Sequence, residues 1–179
     1  MVGEARLGRT EGGLVPEGDG WFVVNAREAR WWHSDTFGSS CIFEGDDVRF
    51  PDFGINIQVL NPGQPNCMYH GENGQEDFLV LAGECLLLVE GEERRLKQWD
   101  FVHSPAWTEH VFVGAGSGPC AILMVGARPD PEALRYPVVD VALKHNAGVK
   151  KEASTGREAY AAFPPPTEGP YPDGTLTHT

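Results

Sequence analysis

The feature that most constrains the fold is a regular series of short strand-like segments, each separated from the next by turn residues. The candidate strands are Trp21–Val24, Cys41–Phe43, Ile55–Leu60, Cys67–His70, Glu76–Leu81, Cys85–Val89, Glu93–Leu96, Phe101–His103, His110–Val113 and Cys120–Val125. Many short strands at close, even spacing predict an all-β sandwich or barrel. No long helical pattern alternates with these strands, which argues against a parallel α/β sheet.

The two ends of the chain differ from this central region. Residues 1–20 are rich in Gly and Glu with little periodicity, and we expect them to form a flexible arm. We expect residues 21–128 to form the barrel and residues 129–179 a C-terminal extension. Within that extension, Ser154 and Thr155 can cap a short helix from about Gly156 to Ala162. The polar tail that follows is expected to be extended or disordered.

The charge balance excludes several classes of partner. The formal net charge is −12 and the calculated isoelectric point is about 4.8. A chain this acidic repels phosphate backbones and anionic membrane surfaces, so we expect neither a nucleic-acid partner nor a membrane. The N-terminus has no apolar signal region, and four widely spaced cysteines favour reduced thiols in a cytoplasmic protein.

Two stretches carry the residues of chemical interest, and the first runs from Pro62 to Gly83. It reads Pro-Gly-Gln-Pro-Asn-Cys-Met-Tyr-His-Gly-Glu-Asn-Gly-Gln-Glu-Asp-Phe-Leu-Val-Leu-Ala-Gly. This stretch resembles the first signature motif of the cupin superfamily. Glu76 and Gly83 have the spacing of that motif's Glu and Gly, and His70 falls on its first histidine. Glu72 stands where the second histidine would be.

The second stretch, Trp99 to His110, resembles the second cupin motif. Asp100, Pro105 and His110 fit the motif, whereas Trp99 and Trp107 stand where the family usually has glycines. The resemblance implies a jelly-roll barrel, the double-stranded β-helix, with its site at one open end. Because glycine often supplies a positive φ at the position of Trp99, we expect that turn to differ in shape from the common one.

The residues themselves also point to a metal ion. Residues two apart in a strand share a face, so His70, Glu72 and Glu76 point the same way if the chain stays extended through the intervening turn. One imidazole and two carboxylates are costly to bury unless a cation compensates their charge. His110, from a second strand pair, would complete a site for one divalent Fe, Mn, Ni, Co or Zn ion.

The part played by Glu72 is left open by the sequence. It can be a metal ligand, a catalytic general base, a group that orients His70, or an exposed turn residue. Around the site, large side chains near the motif strands are candidates for a small-molecule pocket, although core packing explains each singly. They are Tyr69, Trp107, Phe112 and Met124.

Three functions compete at this point. The first is a metal-dependent enzyme, of dioxygenase, isomerase or lyase type, acting on a small organic substrate. The second is a non-catalytic module that binds a small molecule and has a structural metal or none. The third is a storage or scaffold role built on oligomerisation. For all three we expect a homodimer, since members of the resembled family often dimerise.

Overall fold

The computed structural model describes residues 1–172. In that part of the chain it contains fourteen β-strands and two short helices, and it is dominated by antiparallel sheets. The strands are β1 (Arg6–Arg9), β2 (Leu14–Glu17), β3 (Trp31–Ser34), β4 (Gly38–Ile42), β5 (Phe53–Leu60), β6 (Gly71–Glu72), β7 (Glu76–Ala82), β8 (Glu84–Val89), β9 (Glu92–Lys97), β10 (Phe101–Ser104), β11 (His110–Ala115), β12 (Cys120–Ala127), β13 (Leu134–Arg135) and β14 (Thr167–Gly169). The helices are α1 (Asp140–Lys144) and α2 (Gly156–Ala159).

Two sheets form the barrel. The larger has seven strands in the order β10-β7-β12-β5-β4-β3-β14, and the smaller has three in the order β11-β8-β9. The chain crosses between the two sheets after β7, β9, β10 and β11, as a double-stranded β-helix requires. The predicted all-β jelly-roll barrel is confirmed. None of the helices in residues 1–172 is long and apolar enough to cross a membrane.

The barrel core lies between the inner faces of these sheets. Each strand alternates its side chains between two faces, so every second residue enters the core. Strand β12 shows this most clearly, because it pairs with β5 on one side and β7 on the other. The buried cluster that fills the core is Leu60, Phe78, Val80, Cys85, Leu87, Phe112, Cys120, Ile122 and Met124.

A second cluster covers the outer face of the three-stranded sheet. Leu88 and Val111 alternate with the core residues of their strands and therefore point outward, where Tyr69 and Ala142 of α1 pack on them. Burying such apolar area contributes roughly 25 cal/mol per Å². The C-terminal extension is thus part of the packed structure, and its helix α1 covers the outer face of the three-stranded sheet.

The N-terminal arm differs from the sequence prediction. Residues 1–20 contain a hairpin in which Arg6 pairs with Glu17 and Arg9 with Leu14. Ala5 and Val15 are buried, which gives this segment an apolar anchor that the glycine-rich composition concealed. Two predicted strands are also absent: Trp21–Val24 makes only an isolated bridge at Trp21, and Cys67–His70 is a loop that ends in a bridge at His70.

The C-terminal predictions divide into three outcomes. The short helix is present as α2, and the Thr155 side chain accepts a hydrogen bond from the Glu158 amide, as expected of an N-cap. The start of the predicted tail is extended and forms β14, which pairs with β3 and adds a strand to the large sheet. The rest of the predicted tail, residues 173–179, lies outside the described residues.

Both tryptophans at the motif's glycine positions adopt positive φ. The angle is 73° at Trp99 and 69° at Trp107, so the turn keeps the conformation that glycine usually supplies, contrary to the expected change of shape. At Trp99 the backbone amide donates to the Val80 carbonyl at 2.8 Å, and the Asp100 side chain accepts from the Lys97 amide. These bonds offset the conformational cost of about 1–2 kcal/mol.

Candidate metal centre

His70 and His110 lie directly opposite each other on neighbouring antiparallel segments. The His110 amide donates to the His70 carbonyl at 2.8 Å, and the His70 amide donates back to the His110 carbonyl at 3.2 Å. Residues paired in this way project their side chains from the same face. The two imidazole centroids are consequently 5.3 Å apart. The first motif and the second motif meet at this bridge.

The two carboxylates reach the same place from adjacent elements. Glu72 ends β6 and Glu76 begins β7, with a bend between them, so the chain is not continuously extended as the parity argument assumed. The side chains nevertheless meet. One ligand atom from each of His70, Glu72 and Glu76 lies within 4.8 Å of the other two. The Glu76 Oε2 atom is also 3.3 Å from His110 Nε2.

Backbone carbonyls fix the orientation of both imidazoles. His70 Nδ1 is 3.0 Å from the Met68 carbonyl, and His110 Nδ1 is 3.0 Å from the Thr108 carbonyl. A carbonyl oxygen only accepts, so each Nδ1 carries the proton and each Nε2 of the neutral ring presents a lone pair. This arrangement of the second ring nitrogen is typical of metal-ligating histidines. His110 Nε2 and the Glu76 carboxylate therefore face each other as two acceptors.

Burial changes the protonation of the four groups. It lowers the pKa of His70 to about 4, with a further contribution from His110, and it lowers the pKa of His110 as well. Burial raises the pKa of Glu76 to about 8, assisted by the Glu72 charge. It raises the pKa of Glu72 to about 7, assisted by Glu132. At neutral pH both histidines are uncharged and Glu76 is mostly protonated, whereas Glu72 is divided between its two forms; a bound cation would displace the remaining protons.

A pH dependence of stability follows for protein treated with a chelator. A carboxyl whose pKa is higher in the folded chain than in the unfolded one binds more protons when folded. The pKa of Glu76 is about 8 in the folded chain, against an ordinary value of 4.5. The free energy of unfolding therefore falls as the pH rises towards 8. We expect the melting temperature of the chelated protein to fall between pH 6.5 and 8. Below pH 6.5 the fall is opposed by His70, whose pKa is lowered from 6.5 to about 4 on folding.

The matched variant for this measurement is Glu76→Gln, which keeps the shape and removes the ionisation. Its melting temperature should stay flatter over the same pH window. The assignment of this pH dependence to Glu76 would be refuted by an equally steep fall in the variant.

The cluster adjoins an open cavity of about 310 Å³, which three of its four groups line. These are His70, Glu72 and Glu76, and Met124 is a further lining residue. Asn56, Gln58 and Asn66 add amide groups along the wall. The cavity gives solvent and small molecules access to the cluster, which a closed structural metal site would not have.

The other three predicted pocket residues lie elsewhere. Tyr69 is one residue from His70 and therefore points to the opposite face, where its hydroxyl accepts a hydrogen bond from the Gly91 amide. Phe112 faces inward but is fully buried in the core below the cavity. Trp107 lies in the turn before β11, 41% exposed and under the Arg135 guanidinium.

Sequence reasoning missed two neighbours of the cluster. The Tyr136 ring stacks on His70 at 5.6 Å, and Glu132 lies on the cavity wall near Glu72. Both come from the segment after the barrel strands, which has no motif and no periodicity. Only the pairing of β13 with β6 brings that segment to the site, so no local signal in the sequence could have found them.

The donor set fits a divalent transition metal. Two neutral imidazoles with their Nε2 lone pairs directed inward and two carboxyls with raised pKa values supply nitrogen and oxygen ligands to a common point. Such a mixed set suits Zn, Fe(II), Mn, Ni or Co. When the carboxyls are ionised, they and the inward Nε2 lone pairs repel one another, and a cation at their common point would stabilise this arrangement.

Comparison with known proteins agrees with this architecture. A family model described as the cupin domain matches residues 56–126. A sugar phosphate isomerase from a cupin superfamily, from Silicibacter pomeroyi, is 22% identical, with a TM-score of 0.51 over 85% of this chain and 83% of its own. A protein described as a sugar phosphate isomerase, from Acidithiobacillus ferrooxidans, is 22% identical, with a TM-score of 0.50 over 71% and 80%.

A third solved structure has a different activity. The polyketide cyclase RemF from Streptomyces resistomycificus is 15% identical, with a TM-score of 0.52 over 60% of this chain and 79% of its own. No curated protein matches the chain. At these identities the structural likeness shows a common fold, and the matched region contains both histidines and both glutamates of the cluster. The matching family model shows that residues 56–126 form a cupin domain.

Proposed function

We propose that this cupin holds one divalent transition metal through His70, Glu72, Glu76 and His110, and that it acts on a small organic molecule at that metal. The observation that carries the proposal is the convergence of two Nε2 lone pairs and two carboxyls beside an open cavity. Both imidazoles are already oriented by backbone carbonyls, so binding a metal costs little rearrangement.

The bound metal would act as a Lewis acid or, if iron, as a site for O₂ with open coordination positions. The chain's own residues supply the rest. Glu72 lines the cavity together with Glu76 and Glu132. Its carboxyl would serve either as a fourth ligand or, where it is not bound to the metal, as a base that exchanges a proton with the substrate.

A second candidate is a non-catalytic module that binds a small molecule. It is favoured by a larger, mainly apolar cavity of about 650 Å³ that adjoins the metal cavity. In this alternative the metal is structural, or the neutral cluster of imidazoles and protonated carboxyls binds no metal. The homodimer expected from the sequence stays a prediction for either function.

Metal content of the purified protein tests the proposal. The protein is prepared without chelator or histidine tag, and we expect near-stoichiometric transition metal by elemental analysis. After chelation, the matching metal at a hundredfold excess over its Kd should stabilise the fold by about 2.7 kcal/mol. For a chain of this size that corresponds to a rise of roughly 5–10 °C in melting temperature.

The outcome that contradicts the proposal is protein that contains no metal as purified and shows no rise with Fe(II), Mn, Ni, Co or Zn. The non-catalytic module would then be the better description.

A further inference from the structure

The inner face of the seven-stranded sheet continues well beyond the metal cluster. Paired residues on neighbouring strands share a face, and the pairs Glu76–Gly126, Gly126–Gly54 and Ile42–Asn56 follow one another across the sheet. At about 4.8 Å per strand, β4 lies about 14 Å from β7 along the sheet. The face that carries Glu76 therefore also carries Ile42 and, on β3, Trp32.

A large apolar cavity of about 650 Å³ covers this far end of the face. One wall consists of β3 and β4, including Trp32 and Ile42. The other wall comes from the C-terminal segment, where Tyr160, Phe163 and three consecutive prolines face the sheet. Proline lacks an amide donor, so this wall offers few hydrogen bonds to a ligand. The size is within the range of small-molecule sites.

The two cavities adjoin each other. Ser40, Ile42 and Asn66 line both of them. The side chain of Ile42 therefore lies at the boundary between the apolar cavity and the metal cavity, which we call the passage.

The apolar cavity is formed before any ligand binds. Phe37 contacts the rings of Tyr160 and Phe163 at 5.3 and 5.0 Å. On one side of the prolines the Tyr160 hydroxyl accepts a hydrogen bond from the Met68 amide, and on the other side β14 pairs with β3. The Met68 carbonyl in turn orients His70, so the same residue joins the apolar wall to the metal cluster.

The charges along this path disfavour a phosphorylated ligand. The metal cavity contains Glu72, Glu76 and Glu132, and the guanidinium of Arg128 is already engaged. That guanidinium donates two hydrogen bonds to the Glu44 carboxylate and one to the Phe50 carbonyl. In the apolar cavity, Arg157 lies exposed at the rim. A phosphate dianion would therefore find no free buried cation among the residues that line these two cavities.

We propose that the substrate is an elongated, apolar, ring-bearing molecule with an oxygen-bearing end. The oxygen atoms reach the cluster of His70, Glu72, Glu76 and His110, and the rings lie between the face of β3 and β4 and the C-terminal segment. This inference rests on the proposed metal site and adds the class of its substrate. It separates this chain from proteins that act on sugar phosphates.

The test compares the affinities of two ligands that have the same pair of hydroxyl groups but differ in the number of rings. Alizarin has three fused rings and two adjacent hydroxyls, whereas catechol has the same hydroxyl pair on a single ring. Affinities are measured without oxygen by absorbance and calorimetry, on dialysed zinc-loaded protein and on chelated protein. We expect zinc-loaded protein to bind alizarin at least about tenfold more tightly than catechol, and glucose phosphate more weakly than either.

A matched pair of variants locates the rings. Ile42→Trp fills the passage without a change in charge, and Val23→Trp places the same bulk at an exposed position outside both cavities. Ile42→Trp should lose the preference for alizarin and keep both its zinc and its affinity for catechol. Val23→Trp should behave like the parent.

The outcomes separate the two proposals. Failure to retain zinc in the parent would overturn the proposed metal site. Full zinc content with equal affinities for alizarin and catechol, tighter binding of glucose phosphate, or an unchanged preference in Ile42→Trp would overturn the substrate class alone. Loss of zinc from Phe163→Ala, a variant in the distant apolar wall, would also count against a separate ring-binding cavity.

Discussion

We expect replacement of His110 by alanine to lower the metal content to background level, while the protein stays folded and rich in β structure. His110 is 1% exposed and supplies an inward Nε2 that no neighbouring side chain can replace. With this nitrogen absent, the remaining donors leave a site that loses affinity by orders of magnitude, since even groups that only orient the ligands are worth about 10–100-fold. The measurement is elemental analysis beside circular dichroism, and His70→Ala should give the same result.

The control is another histidine of the barrel. His103 on β10 is exposed and bonds the Asp77 carboxylate at 2.7 Å, away from the cluster. His103→Ala should retain its metal. If His110→Ala also retained the parent's metal content, the ligand assignment would be wrong, even though the fold and the family would stand.

The second large expected effect is a loss of folding stability on substitution of Gly83, the glycine that follows β7. Gly83 has φ of +72°, and a Cβ there would lie 2.5 Å from the Pro119 carbonyl oxygen and 2.9 Å from Cys120 Cα. Both contacts are with backbone, so they cannot be relieved by a side-chain rotation. Gly83→Ala should lose about 1–2 kcal/mol for the left-handed conformation and a further 1–3 kcal/mol, roughly, for the overpacking.

Gly91 provides the matched comparison, because its φ is +78° but a Cβ there meets nothing within 4 Å. Gly91→Ala should show the conformational cost alone. Denaturant unfolding of both variants measures the difference, with the slope m unchanged. Equal losses in the two variants would mean that the backbone near Pro119 yields to the added methyl group, and that the close approach does not fix the turn.

The cupin architecture could be predicted because it is encoded locally. Turn residues such as Asn73–Gly74 and Glu90–Gly91 divide the chain at regular intervals, and alternation within segments such as Ile55–Leu60 marks one buried face. The motif spacing also placed His70, Glu76 and His110 close enough to form a common cluster. Glu72 joins this cluster despite the bend after β6, which the sequence did not reveal.

The pocket could not be predicted in the same way. A large apolar residue near a motif strand can point to either face of the sheet, and its residue type does not show whether it lines the cavity or lies in the core. Tyr69 alternates away from His70, and Phe112 fills the core one layer below His110. The apolar wall comes from Tyr160 and Phe163, which the sequence places in an extension with no resemblance to the barrel motifs.

The sequence by itself indicated most of the strand series, the resemblance to cupins and the candidate metal ligands, with the role of Glu72 left open, because period-two alternation, turn chemistry and motif spacing act over a few residues. Only the tertiary structure decided how the C-terminal segment returns to the barrel. That return depends on contacts between residues nearly a hundred positions or more apart, such as the Tyr160 hydroxyl with the Met68 amide and β14 with β3. Such long-range contacts leave no periodic pattern in the sequence, and here they form one wall of the apolar cavity.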